Sequence, residues 1–185
     1  MKKLILTSSL LGLALAAVLV ASAALAHGDN GNGGKAKLNG YNEVPVTIST
    51  TGKGSFRARI RSDGIHFTLR YEDLENDALF AHIHFGQQHV ANPGNIIAFL
   101  CGGGGKPACP AKEGEVTGVI NAADVTGPAA QGIEAGSLSE AVRALRKGAV
   151  YVNVHSTRWP AGEIRGQVGS KSSNGKNGDR KSKGK

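Results

Sequence analysis

Between Gly54 and Tyr71 the chain alternates apolar and polar residues on either side of a Ser62-Asp63-Gly64 turn. Phe56, Ala58 and Ile60 fall on one face of the first run, with Arg57, Arg59 and Arg61 on the other. After the turn Ile65, Phe67, Leu69 and Tyr71 continue the apolar face, opposite His66, Thr68, Arg70 and Glu72. Successive side chains of a strand point to opposite faces, so two such runs joined by Asp-Gly specify an antiparallel hairpin with one face to bury. That face needs more sheet to cover it. Short runs at 79–86, 95–100, 115–120, 151–155 and 163–168 supply candidate strands. One segment departs from the pattern. Ser137-Leu138-Ser139-Glu140 reads as a capping box, Ala141, Val142, Ala144 and Leu145 follow at helical spacing, and Gly148 stops the run. This predicts a short helix over 139–147, with a further helical turn within 121–125. Many short strands with few helices predict an all-β chain, a Greek-key β-sandwich or barrel with one helical insertion.

The two ends of the chain read differently from its middle. Lys2 and Lys3, the apolar run from Leu4 to Ala21 and Ala24-Leu25-Ala26 have the form of a secretory signal peptide cut after Ala26. The apolar run is also close to membrane-spanning length, but the small-residue cleavage site favours removal, which leaves no transmembrane segment. Residues 27–34 read as a flexible Gly/Asn-rich leader, 35–168 as the folded domain and 169–185 as a disordered basic tail. The net charge of +8 is concentrated at the ends. From Lys37 to Val168 there are 13 basic and 12 acidic residues, whereas the tail carries six basic and one acidic. With no interleaved aromatics for base stacking, a nucleic-acid partner is not expected. Cys101 and Cys109 bracket a glycine-rich loop. In an exported chain, periplasmic or extracellular, such a pair reads as a disulfide, the alternative being a pair of soft metal ligands.

Chemistry is concentrated in two histidine-bearing runs. In Ala81-His82-Ile83-His84-Phe85-Gly86, His82 and His84 share a strand face. In Tyr151-Val152-Asn153-Val154-His155, the histidine shares its face with Tyr151 and Asn153. Imidazole nitrogen suits copper and zinc, so His82, His84 and His155 are candidate ligands if their strands are neighbours. The alternative is that Ile83 and Phe85 take the core face and the histidines lie on a wet one. His89, in a loop-like stretch, is a weaker fourth candidate. His66 reads as a surface residue and His27 as the residue after the cleavage site. Arg57, Arg59, Arg61 and Arg70 form either an anion-binding stripe or, as the near-neutral domain favours, a solvated face balanced by Glu72, Asp73, Glu75 and Asp77. Glu163 and Arg165 share a strand face and are placed to pair. No nucleophile with a matched base is recognisable, so no catalytic residue is assigned and an enzyme is not expected.

Four pieces together resemble the CHRD domain family, named for chordin: Leu38-Asn39-Gly40-Tyr41-Asn42-Glu43-Val44-Pro45, the hairpin through Arg70, Ala81-His82-Ile83-His84, and Val152-Asn153-Val154-His155 with Pro160-Ala161-Gly162-Glu163-Ile164-Arg165-Gly166-Gln167. The resemblance runs from about Lys37 to Val168. It implies an immunoglobulin-like β-barrel, distantly similar to copper/zinc superoxide dismutases, and confers a fold more than a function; the role expected of the chain is non-catalytic, binding or structural work toward a protein or cell-envelope ligand. Set against the dismutase pattern, His82, His84 and His155 resemble copper ligands, and His89 stands only doubtfully for the bridging one. The remaining zinc histidines and the zinc aspartate have no counterpart, and Asp124 lies far from any His in the sequence. The second function implied is therefore metal binding, with copper or zinc, by a superoxide-dismutase-like histidine cluster.

Overall fold

A computed structural model describes residues 32–91 and 95–170. The signal peptide expected over 1–26, His27 and nearly all of the basic tail lie outside the described residues. The hairpin forms as its alternation requires. Strands β2 (Lys53–Arg61) and β3 (Gly64–Glu72) pair antiparallel with Phe56 opposite Leu69 and Ala58 opposite Phe67. Phe56, Ala58, Phe67, Leu69 and Tyr71 are buried, and Arg57, Arg59 and Arg61 are exposed. Gly64 closes the turn at φ 148°, and a β-carbon there would stand 2.5 Å from the Ile120 carbonyl oxygen.

This hairpin is the middle of a larger sheet. β1 (Gly33–Asn39) flanks β2, and β6 (Gly114–Ile120) flanks β3. The other half contains β4 (Ala78–Phe85), β5 (Ile96–Cys101), β7 (Val150–Ser156) and β8 (Ile164–Gln167). The order is β5-β4-β7-β8-β1-β2-β3-β6, all neighbours antiparallel, and a short β9 (Gly169–Ser170) also pairs with β1. The outer strands β5 and β6 touch, so the sheet is nearly closed into a barrel. Its interior is filled by Leu38, Phe56, Leu69, Ile83, Leu100, Ile120, Val152, Val154 and Ile164, each no more than 2% exposed. The all-β class is what the residue pattern requires; β1 and β8, meeting at Asn39 and Arg165, join the two halves into one sheet.

Three local expectations need correction. The polar leader ends earlier than composition suggests, because Gly33 and Gly34 already pair with Arg59 and Ala58 in β1. A β-carbon on Gly34 would meet Val168 Cγ1 at 2.4 Å, so a residue chosen for lack of bulk reads as linker while lying in the sheet. At the other end, β9 carries the sheet two residues past Val168. The helix α1 spans Leu138–Arg146, but Ser137 at its N-cap makes no side-chain capping bond. Glu140, the other half of the expected box, accepts instead from the Glu134 amide at 2.8 Å, so the loop before the helix takes its carboxylate. The turn within 121–125 is a 3-10 turn over Ala122–Asp124, with a reciprocal capping box between Asn121 and Asp124. Cys101 and Cys109 are joined as a disulfide. Among the described residues no helix is long and apolar enough to cross a membrane.

Candidate metal centre

β4 and β7 are neighbours, and their register decides which side chains meet. His82 lies opposite Asn153, His84 opposite Tyr151, and Phe80 opposite His155. Ala81, Ile83, Val152 and Val154 fill the barrel interior from one face. The alternate residues face outward, yet His82 is only 4% exposed, His84 5%, Asn153 5% and His155 7%. The wet-face alternative is therefore wrong for these histidines: the outer face of β4 and β7 is roofed over. Arg165 on β8 donates from Nη2 to the carbonyls of Gln87 (3.0 Å) and Val90 (3.2 Å), holding the β4–β5 loop across it. Gln167 donates to the Gly86 and Gly148 carbonyls. On the other side, the turn after β7 brings the Pro160 carbonyl over His155.

Under that roof the three imidazoles converge, each offering one nitrogen within 4.8 Å of the others. His82 Nδ1 and His84 Nε2 are 3.1 Å apart. Aromatic rings wall the cluster. Phe80 packs on His82 and His155, Phe99 meets His82 edge-on, and Tyr151 stacks parallel on His84 with centroids 4.6 Å apart. The Arg165 guanidinium lies 3.5 Å from the centroid of the Tyr151 ring. Burial disfavours the charged imidazolium and pushes His82 down to about 3 and His84 and His155 to about 4, so all three are neutral at pH 7.

Hydrogen bonds orient the neutral rings. Asn95 donates its amide to the Phe85 carbonyl and accepts from the Tyr151 hydroxyl at 3.4 Å, which directs Oδ1 at His84 Nδ1, 3.0 Å away. His84 then carries its proton on Nδ1, and its Nε2 lone pair faces the cluster. His155 Nδ1 donates to the Pro160 carbonyl at 3.0 Å, leaving Nε2 as an acceptor that is buried without a partner among the described residues. Asn153 contacts His84 Nε2 through its side-chain amide at 3.0 Å.

The remaining sequence candidates lie elsewhere. His89 is exposed at φ 62° in the loop that follows β4 and is not part of the three-nitrogen group; the loop reverses there and directs it outward. Asp124 is bound to Lys106 at 2.7 Å. His66 contacts Asp63. Cys101 and Cys109 are in the disulfide and so are not thiolate ligands. Glu163 and Arg165 do not pair. Glu163 points to Thr50 (2.7 Å) and the Glu75 amide (2.8 Å), and Arg165 to the loop carbonyls, because the strands around them hold buried polar groups that each must satisfy. Asn95, which sets the His84 tautomer, carries no sequence signal of its own. Tyr151 and Asn153 are visible only as face-mates of His155.

The CHRD domain family model matches residues 34–168, which include every strand that builds this site. The chain belongs to the CHRD domain family. No curated protein and no solved structure matches it. The CHRD match ends where β9 begins and starts inside β1, so the family unit coincides with the near-closed barrel. A CHRD domain carrying a disulfide is consistent with an extracellular protein.

Proposed function

We propose that this CHRD protein is an exported, non-catalytic binding protein that holds one copper or zinc ion on His82, His84 and His155. The observation supporting it is the buried His155 Nε2, which among the described residues has no hydrogen-bond partner, in a ring that converges with His82 and His84. A buried acceptor without a donor costs about 1–3 kcal/mol. A cation held by the three rings would supply the partner that His155 Nε2 lacks. Neutral imidazole is a ligand type common to zinc and copper, and rings already deprotonated need lose no proton to bind. The Asn95 and Pro160 contacts do what outer hydrogen bonds do for ligating histidines: they fix tautomer and ring orientation.

The non-catalytic part of the reading rests on the residues around the cluster. Among the described residues no carboxylate joins the three-histidine group, and Asp124 is committed to Lys106. Export rests on the basic start, the apolar run and Ala24-Leu25-Ala26, together with the disulfide.

Titration of the purified protein with zinc and with copper tests the site. One ion per chain is expected for at least one of the two metals, with His155→Gln weakening affinity at least about tenfold at unchanged circular dichroism. Saturation at a hundred times Kd should raise stability by about 2.7 kcal/mol. Absence of stoichiometric binding, or binding unchanged in a His82→Ala/His84→Ala double variant, would overturn the reading.

A further inference from the structure

The outer face of the β1-β2-β3-β6 half carries a second unusual arrangement, independent of the histidine cluster. Along one row Lys35, Arg57, Thr68 and Thr117 lie side by side on four strands. The next row contains Lys37, Ser55, Arg70 and Glu115, and the row on the other side holds Arg59, His66 and Val119. Lys35 and Arg57 are thus like charges directly opposed across a strand pair, an arrangement that destabilises a sheet.

Three of the acids expected to balance this face bind other partners. Glu75 binds Arg158 and Trp159, and Glu72 and Asp73 bind Lys53. Arg70 has a carboxylate across its row, that of Glu115. Among the described residues Lys35, Lys37 and Arg57 lie within ion-pair distance of no acid. A groove of about 1110 Å³ runs over the face, lined by Lys35, Lys37, Arg57, Arg59, Arg61 and Arg70 and by no acidic side chain. A sheet that keeps unbalanced, opposed cations breaks a local stability rule, and such breaches concentrate where a ligand compensates them.

We infer that this groove binds an acidic polysaccharide. The cations spread over three strands, which suits repeated charges along a polymer better than one small anion. Arginine forks match carboxylate and sulfate groups with paired hydrogen bonds. Ser55, Thr68 and Thr117 set hydroxyls between the cations, the partners that sugar hydroxyls use. The exposed large apolar residues Tyr41, Val46, Leu79 and Val90 all lie outside the groove, so it offers neither a stacking platform for bases nor an apolar wedge for a bilayer.

The test uses the full chain with alginate and dextran sulfate as probes and dextran as neutral control. At low salt the protein should bind at least one acidic polymer and not dextran, and added salt should weaken the complex. Lys37→Ser/Arg57→Ser should weaken it at least about tenfold, whereas Lys112→Ser/Arg158→Ser, equal in charge lost but outside the groove, should leave it within about twofold. Arg57→Ser should also raise the melting temperature slightly, since it relieves the opposed charges, and this separates lost binding from lost folding. Three results would each overturn the inference: no binding to either acidic polymer, equal loss in the two double variants, or an equal loss of binding to polyphosphate and to phosphatidylglycerol vesicles in the groove variant. The last would reduce the groove to a generic positive field.

Discussion

Acidifying the metal-free protein from pH 7 to pH 4 should remove at least about 3 kcal/mol of its folding free energy, the linkage of a single ring displaced by two to three pH units. Three rings share this displacement. His82, His84 and His155 have folded values of about 3 to 4 against an ordinary 6.5. Below pH 6.5 the unfolded chain takes up protons that the folded chain refuses, so their contribution is complete above 6.5 and is lost as pH falls toward 4. Glu43 works the other way. Burial raises it to about 7 despite the nearby Arg165 guanidinium, so it costs stability as pH rises from 4.5 to 7 and returns some on acidification. Three imidazoles outweigh one carboxyl, and the net slope is positive. Urea midpoints measured across this range check it; a flat profile, or greater stability at pH 4.5 than at pH 7, would refute the buried neutral cluster.

Replacing Arg165 with alanine should cost about 3 to 5 kcal/mol, because one side chain leaves several buried partners at once. Gln87 and Val90 lose a charged donor for their carbonyls, the Tyr151 ring loses the guanidinium stacked on it, and Glu43 loses its neighbouring positive charge. The roof over the histidines should loosen with it. Amide hydrogen exchange should quicken at Phe85, whose N–H is bonded to the Asn95 carbonyl at the far end of the loop. Arg165→Lys should recover little, since an ammonium lacks the planar fork and stacks poorly. A melting temperature within a few degrees of the parent for Arg165→Ala would show that the loop is held by something else.

These two expectations rest on a burial that the sequence conceals. The β2–β3 hairpin was legible because its outer face is truly wet, and alternation records a contrast between two environments. On β7 the contrast disappears: all seven residues from Val150 to Ser156 are buried, so Tyr151, Asn153 and His155 carry an outward polarity that no water meets. That roof comes from residues as distant as Gln87 and Arg165, a separation that no local pattern reports. The histidine motifs were visible as types and spacing, and Cys101 and Cys109 as a pair. Asn95 was not visible, because its role depends on a loop returning to β4. β1 was hidden for the opposite reason. Its glycines are in the sheet because β2 and Val168 leave no room for a larger residue, and glycine has no hydrophobicity with which to announce a strand.

The pairing of β1 with β9 also determines how this unit can be joined to others. Gly34 lies opposite Ser170, so the polypeptide enters and leaves the barrel at adjacent points on a single edge. A fold with that geometry behaves as a plug-in cassette: it can be spliced into a surface loop of a host protein, or strung in tandem, without stretching either junction.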